Sequence, residues 1–317
     1  MFQKNSLPSL SVIVPIYNEA GNVALLHQEL VQVLTPLPYQ WEIIFVDDGS
    51  TDATLKKSRE LRPLKLVALR KNYGQTAAFD VGFKNATGDI FVTMDGDLQN
   101  DPADIIKLLT KIEEGFDVVS GWRKRRKDTL SKKITSRAAN QLRKFFFNDS
   151  IHDSGCALKA YRRECFEEVD LYGEMHRFIP AILAERGFKI TEVVVNHRPR
   201  IHGSSKYGNV IRGFKSLVDM IFVSFWTRYS ARSLHILGGF GMILIFLGTT
   251  LLIGLFAMRL FFEVSLANKI WPLIAVTFVL TGIQFFTIGI VTDLLAKTYY
   301  KVHNRMNYSV HNIHENV

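Results

Sequence analysis

A chain of 317 residues allows about two domains, and 47% hydrophobic with 22% charged residues is the balance of a folded protein. Wholesale disorder, collagen-like repeats and a disulfide scaffold are excluded, the last because Cys156 and Cys165 are the only cysteines. The net charge of +9 is largely local: ten Lys or Arg lie between Arg123 and Lys144 against one acid, Asp128. The cysteines lack metal-ligand spacing and predict free thiols in a reducing compartment. The N-terminus has no sustained apolar stretch, so no cleaved signal peptide is expected and the N-terminal domain is placed in the cytoplasm.

In chain order, Leu10 to Ile16 is a short β-branched run followed by a helical pattern from Ala24 to Leu34. Ile43 to Val46 is a second strand, ending in Asp47-Asp48-Gly49-Ser50, where the glycine supplies a turn. The unit repeats with a strand at Leu64 to Leu69, a helix at Thr76 to Asn85, and a strand at Ile90 to Met94 that ends in Asp95-Gly96-Asp97. A helix at Pro102 to Ile112 and a strand at Phe116 to Ser120 follow, then the basic stretch, helical from Ser131 to Phe146. Gly155 to Tyr161 and Ile190 to Asn196 complete the sheet. Near-continuous apolar strands alternating with helices predict an α/β domain with a mostly parallel sheet covered on both faces.

Val210 to Phe225 has the spacing of an amphipathic helix, suited to a lipid interface. Ile236 to Met258 and Ile270 to Thr292 are each 23 residues without a charge, long enough to cross about 30 Å of hydrocarbon. They predict a transmembrane hairpin. Arg228, Arg232, Lys297, Lys301 and Arg305 flank its outer ends, against Arg259 and Lys269 in the connection, which places both termini in the cytoplasm. The expected domains are a catalytic domain over 1–206, amphipathic helices over 207–233, two spans within 234–299 and a cytoplasmic tail over 300–317.

Carboxylates thus close the second and fourth strands at their carboxyl ends, the edge where open α/β sheets bind ligands. Asp95 and Asp97, two residues apart with a glycine between them, suit a hard divalent cation, Mg²⁺ or Mn²⁺, bridging a diphosphate. Asp47 and Asp48 can accept from a base N–H or a ribose hydroxyl, or serve as a turn and helix cap. No P-loop, dinucleotide-binding glycine signature, zinc-hydrolase motif or serine-esterase elbow is present.

Val14 to Glu19, Val46 to Asp52, Gly74 to Ala78 and Met94 to Pro102, in this order, resemble glycosyltransferase family 2, and more narrowly its membrane-anchored polyprenyl-phosphate glycosyltransferases. The resemblance runs from about residue 10 to 310. It implies the GT-A nucleotide-diphospho-sugar fold, an inverting reaction and a lipid phosphate acceptor. By it, Pro15, Tyr17, Glu19, Asp47 and Asp48 line the nucleotide, while Asp95, Asp97 and Gln99 surround metal and diphosphate. Gly121-Trp122-Arg123 matches a Gly-x-Arg motif, Asp153-Ser154-Gly155-Cys156 an acidic Ser-Gly motif, and Arg200 with Gly203-Ser204-Ser205-Lys206 an Arg and Gly-x-Ser-Lys pair. The segment from Asp293 to Tyr299 departs from the Gly-Glu-Tyr common in relatives.

Arg123, Arg137, Arg200 and Lys206 are the residues expected to neutralise the acceptor phosphate, and the other basic residues the anionic headgroups. Recognition aromatics are sparse there, so no nucleic-acid partner is expected. The family pattern makes Asp153 a catalytic base. A phosphate monoester is mostly ionised at neutral pH, which leaves base and orienting roles both open. Asp97, Arg200 and Lys206 join Asp153 as expected catalytic residues. The expected reaction is glucose transfer from UDP-glucose to undecaprenyl phosphate, glucose being chosen from family frequency. GDP-mannose with a dolichyl-type phosphate is the alternative, and a non-enzymatic sugar-nucleotide binder the third. A homo-oligomer in the plasma membrane is expected.

Overall fold

The computed structural model describes residues 8–124, 151–167, 171, 175–199, 224, 233–263, 265–266 and 269–302. The basic stretch after Lys124, the amphipathic pattern from Val210, the tail beyond Val302, and with them Arg137, Arg200 and Lys206, lie outside the described residues. The chain divides into two units, 1–223 and 224–317.

The first unit is a seven-stranded sheet in the order β3-β2-β1-β4-β6-β5-β7. Its strands are β1 (Ser9–Ile16), β2 (Gln40–Asp47), β3 (Lys65–Ala68), β4 (Ile90–Thr93), β5 (Val118–Trp122), β6 (Lys159–Arg162) and β7 (Ile190–Val194). All pairings are parallel except those of β6, which runs antiparallel to both β4 and β5. The reversal brings the start of β6 to the same edge as the carboxyl ends of β1, β2, β4 and β5.

Period-two alternation along the strands supplies two cores. Leu10, Val12 and Val14 of β1, with Ile90 and Val92 of β4, face a core shared with α1 (Val23–Leu34) and α4 (Ile105–Glu113). Ile13, Ile44, Val46, Phe91 and Tyr161 face the opposite core. That side is covered by α3 (Gln75–Asn85) and α5 (Ile179–Glu185), and the short α2 (Thr54–Ser58) follows β2. Both cysteines are buried free thiols.

The expected strand at Gly155 to Tyr161 begins only at Lys159. Residues 154 and 155 form a turn, and the Lys159 Nζ donates to the Ser154 carbonyl at 3.3 Å and to that of Cys156, drawing these carbonyls out of the strand ladder. The strand expected from Phe116 is displaced to Val118–Trp122, and its last residues extend the pairing with β7.

In the second unit, five residues of π-helix, Leu234–Gly238, lead into α6 (Gly239–Phe262), and α7 (Trp271–Val302) returns beside it. Two helices, Leu234–Phe262 and Trp271–Thr298, are long and apolar enough to cross a membrane. Their packing is inverted relative to a soluble helix pair. Gly241, Gly248 and Leu255 are the buried residues of α6, while Phe246, Ile253, Phe256 and Phe261 are exposed. A Cβ on Gly248 would lie 2.7 Å from the Ala275 carbonyl oxygen, so the two backbones touch where only small residues fit.

Candidate active site

At the end of β1, Pro15 and Tyr17 are half-buried. Asn18 takes the left-handed conformation at φ 55°, and its amide donates to Ser50 Oγ at 2.9 Å. The Glu19 amide donates to Thr54 Oγ1 at 2.7 Å, and the Glu19 carboxylate accepts from Asn22 Nδ2 at 2.5 Å. The loops after β1 and β2 are therefore stitched together.

Asp47 and Asp48 are both buried but differently used. Both oxygens of Asp48 accept backbone amides, from Tyr73 at 2.7 Å and Gly74 at 2.9 Å, so Asp48 clamps the loop ahead of α3. Burial raises its carboxyl above the ordinary value, against those two hydrogen bonds. Asp47 accepts from the Ser50 amide at 3.2 Å through Oδ2, while its buried Oδ1 has no hydrogen-bond partner among the described residues. Gly49 sits at φ +69°, and a Cβ there would lie 2.3 Å from the Lys71 carbonyl carbon. Only glycine allows the two loops to cross so closely.

Beyond β4, Asp97 is 8% exposed and accepts the Gln99 amide at 3.1 Å, and Gln99 is half-buried. Asp95 accepts from Gln75 Nε2 at 2.7 Å, and its own amide donates to Asn100 Oδ1 at 3.2 Å. Burial, and then the nearby Asp97 charge, push the Asp95 carboxyl up to about 6. Two crowded carboxylates with hard oxygen donors form a set that a divalent cation would relieve. Among the described residues there is no cluster of three His, Cys, Asp or Glu side chains.

Across the edge, Arg123 follows β5 and grips Asp153: Nε lies 2.7 Å from Oδ2, Nη2 lies 2.9 Å from Oδ1, and the Arg123 amide donates to Oδ2 at 3.3 Å. Burial alone would raise the Asp153 carboxyl, but these bonds and the guanidinium charge outweigh it and hold the group below its ordinary value. The same pair raises Arg123.

The sequence reading missed several residues that shape the site. Lys159 is 3% exposed at the start of β6, and burial lowers its ammonium while the charges of Cys156, Asp153 and Asp95 act the other way. A lysine inside an apolar strand was the available signal. Glu192 on β7 accepts the His152 and Asp153 amides at 2.8 and 3.2 Å and His152 Nδ1 at 2.8 Å, fixing the loop that carries Asp153. After β7, Arg198 pairs with Glu29 and Asp101 at 2.7 Å each, and its amide donates to the Gln99 carbonyl at 2.9 Å. Arg200 follows two residues later, outside the described residues.

The Glycosyl transferase family 2 profile matches residues 11–170. A dodecaprenyl-phosphate galacturonate synthase of Rhizobium johnstonii is 40% identical over 96% of this chain and 92% of the relative. An undecaprenyl-phosphate 4-deoxy-4-formamido-L-arabinose transferase of an Enterobacter species is 33% identical over 99% of this chain and 96% of the relative. Among solved structures, mannosyl-3-phosphoglycerate synthase from Rubrobacter xylanophilus shares the fold with a TM-score of 0.58 at 16% identity, covering 69% of this chain and 74% of that one. Glucosyl-3-phosphoglycerate synthase from Mycobacterium tuberculosis, in complex with Mn²⁺ and UDP-glucose, gives 0.52 at 17% identity over 68% and 79%. With its GT-A sheet, its edge of carboxylates and its two apolar C-terminal helices, this chain belongs to glycosyltransferase family 2 and is a glycosyltransferase that acts on polyprenyl phosphate at a membrane.

Proposed function

We propose that the enzyme transfers galacturonate from a nucleoside diphosphate to polyprenyl phosphate, with inversion at C1, on the cytoplasmic face of the plasma membrane. The observation that carries this reading is the single sheet edge holding Asp95 and Asp97 on one side and the Arg123–Asp153 pair on the other. Such an edge suits a diphosphate leaving group beside an anionic acceptor. Glucose, expected from family frequency, is replaced because the sugars named for the two relatives are galacturonate and 4-deoxy-4-formamido-L-arabinose. Galacturonate is preferred over the second on the higher identity, 40% against 33%. The cytoplasmic orientation rests on the basic residues flanking the outer ends of the two helices.

Asp95, Asp97 and Gln99 would hold a divalent cation, whose Lewis acidity would stabilise the departing diphosphate. The Mn²⁺ of the glucosyl-3-phosphoglycerate synthase complex supports this reading, without choosing Mn²⁺ over Mg²⁺. Asp47 and Asp48 frame the nucleoside; Oδ1 of Asp47, unpaired among the described residues, is an acceptor for a base or ribose donor, while Asp48 keeps the neighbouring loop in place. Pro15, Tyr17 and Glu19 complete that rim. Arg123 meets the acceptor phosphate, helped by Arg137, Arg200 and Lys206. An acceptor phosphate is already ionised at neutral pH, and Asp153 is held ionised by Arg123, so Asp153 orients the guanidinium and no base is needed.

The test is transfer of labelled galacturonate from UDP-galacturonate into organic-extractable lipid by the purified full-length protein with undecaprenyl phosphate and Mg²⁺ or Mn²⁺. Label in the lipid phase that disappears with EDTA supports the reading. Label only from UDP-glucose, or from GDP-mannose, overturns the donor assignment and leaves the reaction class standing.

A further inference from the structure

Between Asp97 and Gln99, Leu98 takes the left-handed conformation at φ 62° while its side chain is 1% exposed in the core shared with α1. A bulky residue keeps such a backbone only where its surroundings over-determine it. Part of that constraint is local: the Gln99 amide donates to Asp97 Oδ1 at 3.1 Å, and the Asp95 amide to Asn100 Oδ1 at 3.2 Å. The rest comes from the segment that leaves β7.

His197 pairs with Asn100 in an isolated antiparallel bridge, and the Arg198 amide donates to the Gln99 carbonyl at 2.9 Å. Asn196 donates its amide to Asp104 and its Nδ2 to Asp101, the latter at 3.2 Å. The Arg198 guanidinium then joins two elements, with Nη1 on Glu29 of α1 and Nη2 on Asp101, each at 2.7 Å. Helix α1 is itself anchored by the buried Leu26, Leu30 and Leu34. The turn that carries Asp97 and Gln99 is thereby tied to a fixed helix by one forked cation. Isolated surface ion pairs hold little structure, whereas a guanidinium shared by two carboxylates in a network does.

We propose that Arg198 is a positioning residue for the divalent cation: by tying Asp101 to α1 it keeps the Leu98 turn, and with it the side chains of Asp97 and Gln99, set to receive the ion. The assignment rests on the reading above that Asp95, Asp97 and Gln99 hold that ion. Loss of a group that orients ligands from outside the ligand set weakens metal binding by about 10–100-fold. Lysine, with a single ammonium, lacks the rigid fork that reaches Glu29 and Asp101 together.

The experiment titrates Mn²⁺ into the full-length protein in neutral detergent, with UDP and separately with GDP, and follows the paramagnetic resonance signal of free aqueous Mn²⁺. It compares the wild type with Arg198→Met, Arg198→Lys and Glu29→Gln, and the thermal midpoint without metal reports on folding. Arg198→Met is expected to weaken Mn²⁺ binding by about 10–100-fold, with Arg198→Lys and Glu29→Gln in between. A merely structural role lowers the thermal midpoint and leaves the Mn²⁺ affinity as it was. Unchanged affinity in Arg198→Met, or in both milder variants if Arg198→Met does not fold, overturns the assignment while the metal reading stands. A wild type that binds no Mn²⁺ with either nucleotide overturns the metal reading and this assignment with it.

Discussion

Arg123 holds both carboxylate oxygens of Asp153, at 2.7 and 2.9 Å, and joins the end of β5 to the loop entering β6. The pair is mostly buried, with side-chain exposures of 11% and 18%. A carboxylate so held is a poor proton acceptor at neutral pH and a good orienting group.

Asp153→Asn therefore lowers transfer by loss of Arg123 orientation, with an expected drop of about 10–100-fold from one charge-assisted contact. The shape of the pH–rate profile near neutrality is retained. Disappearance of a limb in that profile would identify Asp153 as the base instead. Since the folded-state carboxyl lies below its unfolded value, its contribution to stability is complete at neutral pH. That contribution is lost only as acid titrates through the lowered value. Unfolding midpoints of wild type and Asp153→Asn converge in acid if the sign is right.

Glu192→Ala removes the acceptor for two backbone amides in the Asp153 loop. Transfer is expected to fall with the donor KM nearly unchanged, and Glu192→Gln, which keeps an acceptor oxygen, to recover part of the loss. Steady-state kinetics on the three proteins check this. Loss of nucleotide affinity in Glu192→Ala would point to a wider structural role.

Lys159→Met leaves the turned carbonyls of Ser154 and Cys156 without their donor. Stripping a buried acceptor of its partner costs about 1–3 kcal/mol, which a lowered denaturant midpoint would show.

Gly248→Leu places a side chain where a Cβ already meets the Ala275 carbonyl at 2.7 Å. The α6–α7 hairpin is expected to part, lowering the thermal midpoint of the full-length protein in detergent, whereas Gly254→Leu, with no atom of the described residues within 4 Å of its Cβ, is tolerated.

Much of the first unit was legible because each parallel strand is a short apolar run closed by a turn, and the sheet edge was marked by Asp47, Asp48, Asp95 and Asp97 closing two such runs. The start of β6 was misplaced because the hydrogen bonds that turn the Ser154 and Cys156 carbonyls away come from a lysine later in the chain. The Thr76–His176 contact, spanning 100 residues, leaves no local pattern, and neither does the bond between Glu192 and the Asp153 loop. Spacing along the chain reports which face a residue occupies; such contacts depend on β6 reversing between β4 and β5.

The central claim, that the carboxylates beyond β4 form the catalytic edge for transfer to a lipid phosphate, is tested most directly by comparing wild type and Asp97→Asn. Both are assayed for metal-dependent sugar transfer to undecaprenyl phosphate, alongside UDP affinity. The account predicts a loss of about 10²–10³-fold in kcat, the scale of removing one preorganised electrostatic group, with a much smaller change in UDP binding. Near-normal transfer by Asp97→Asn would contradict it.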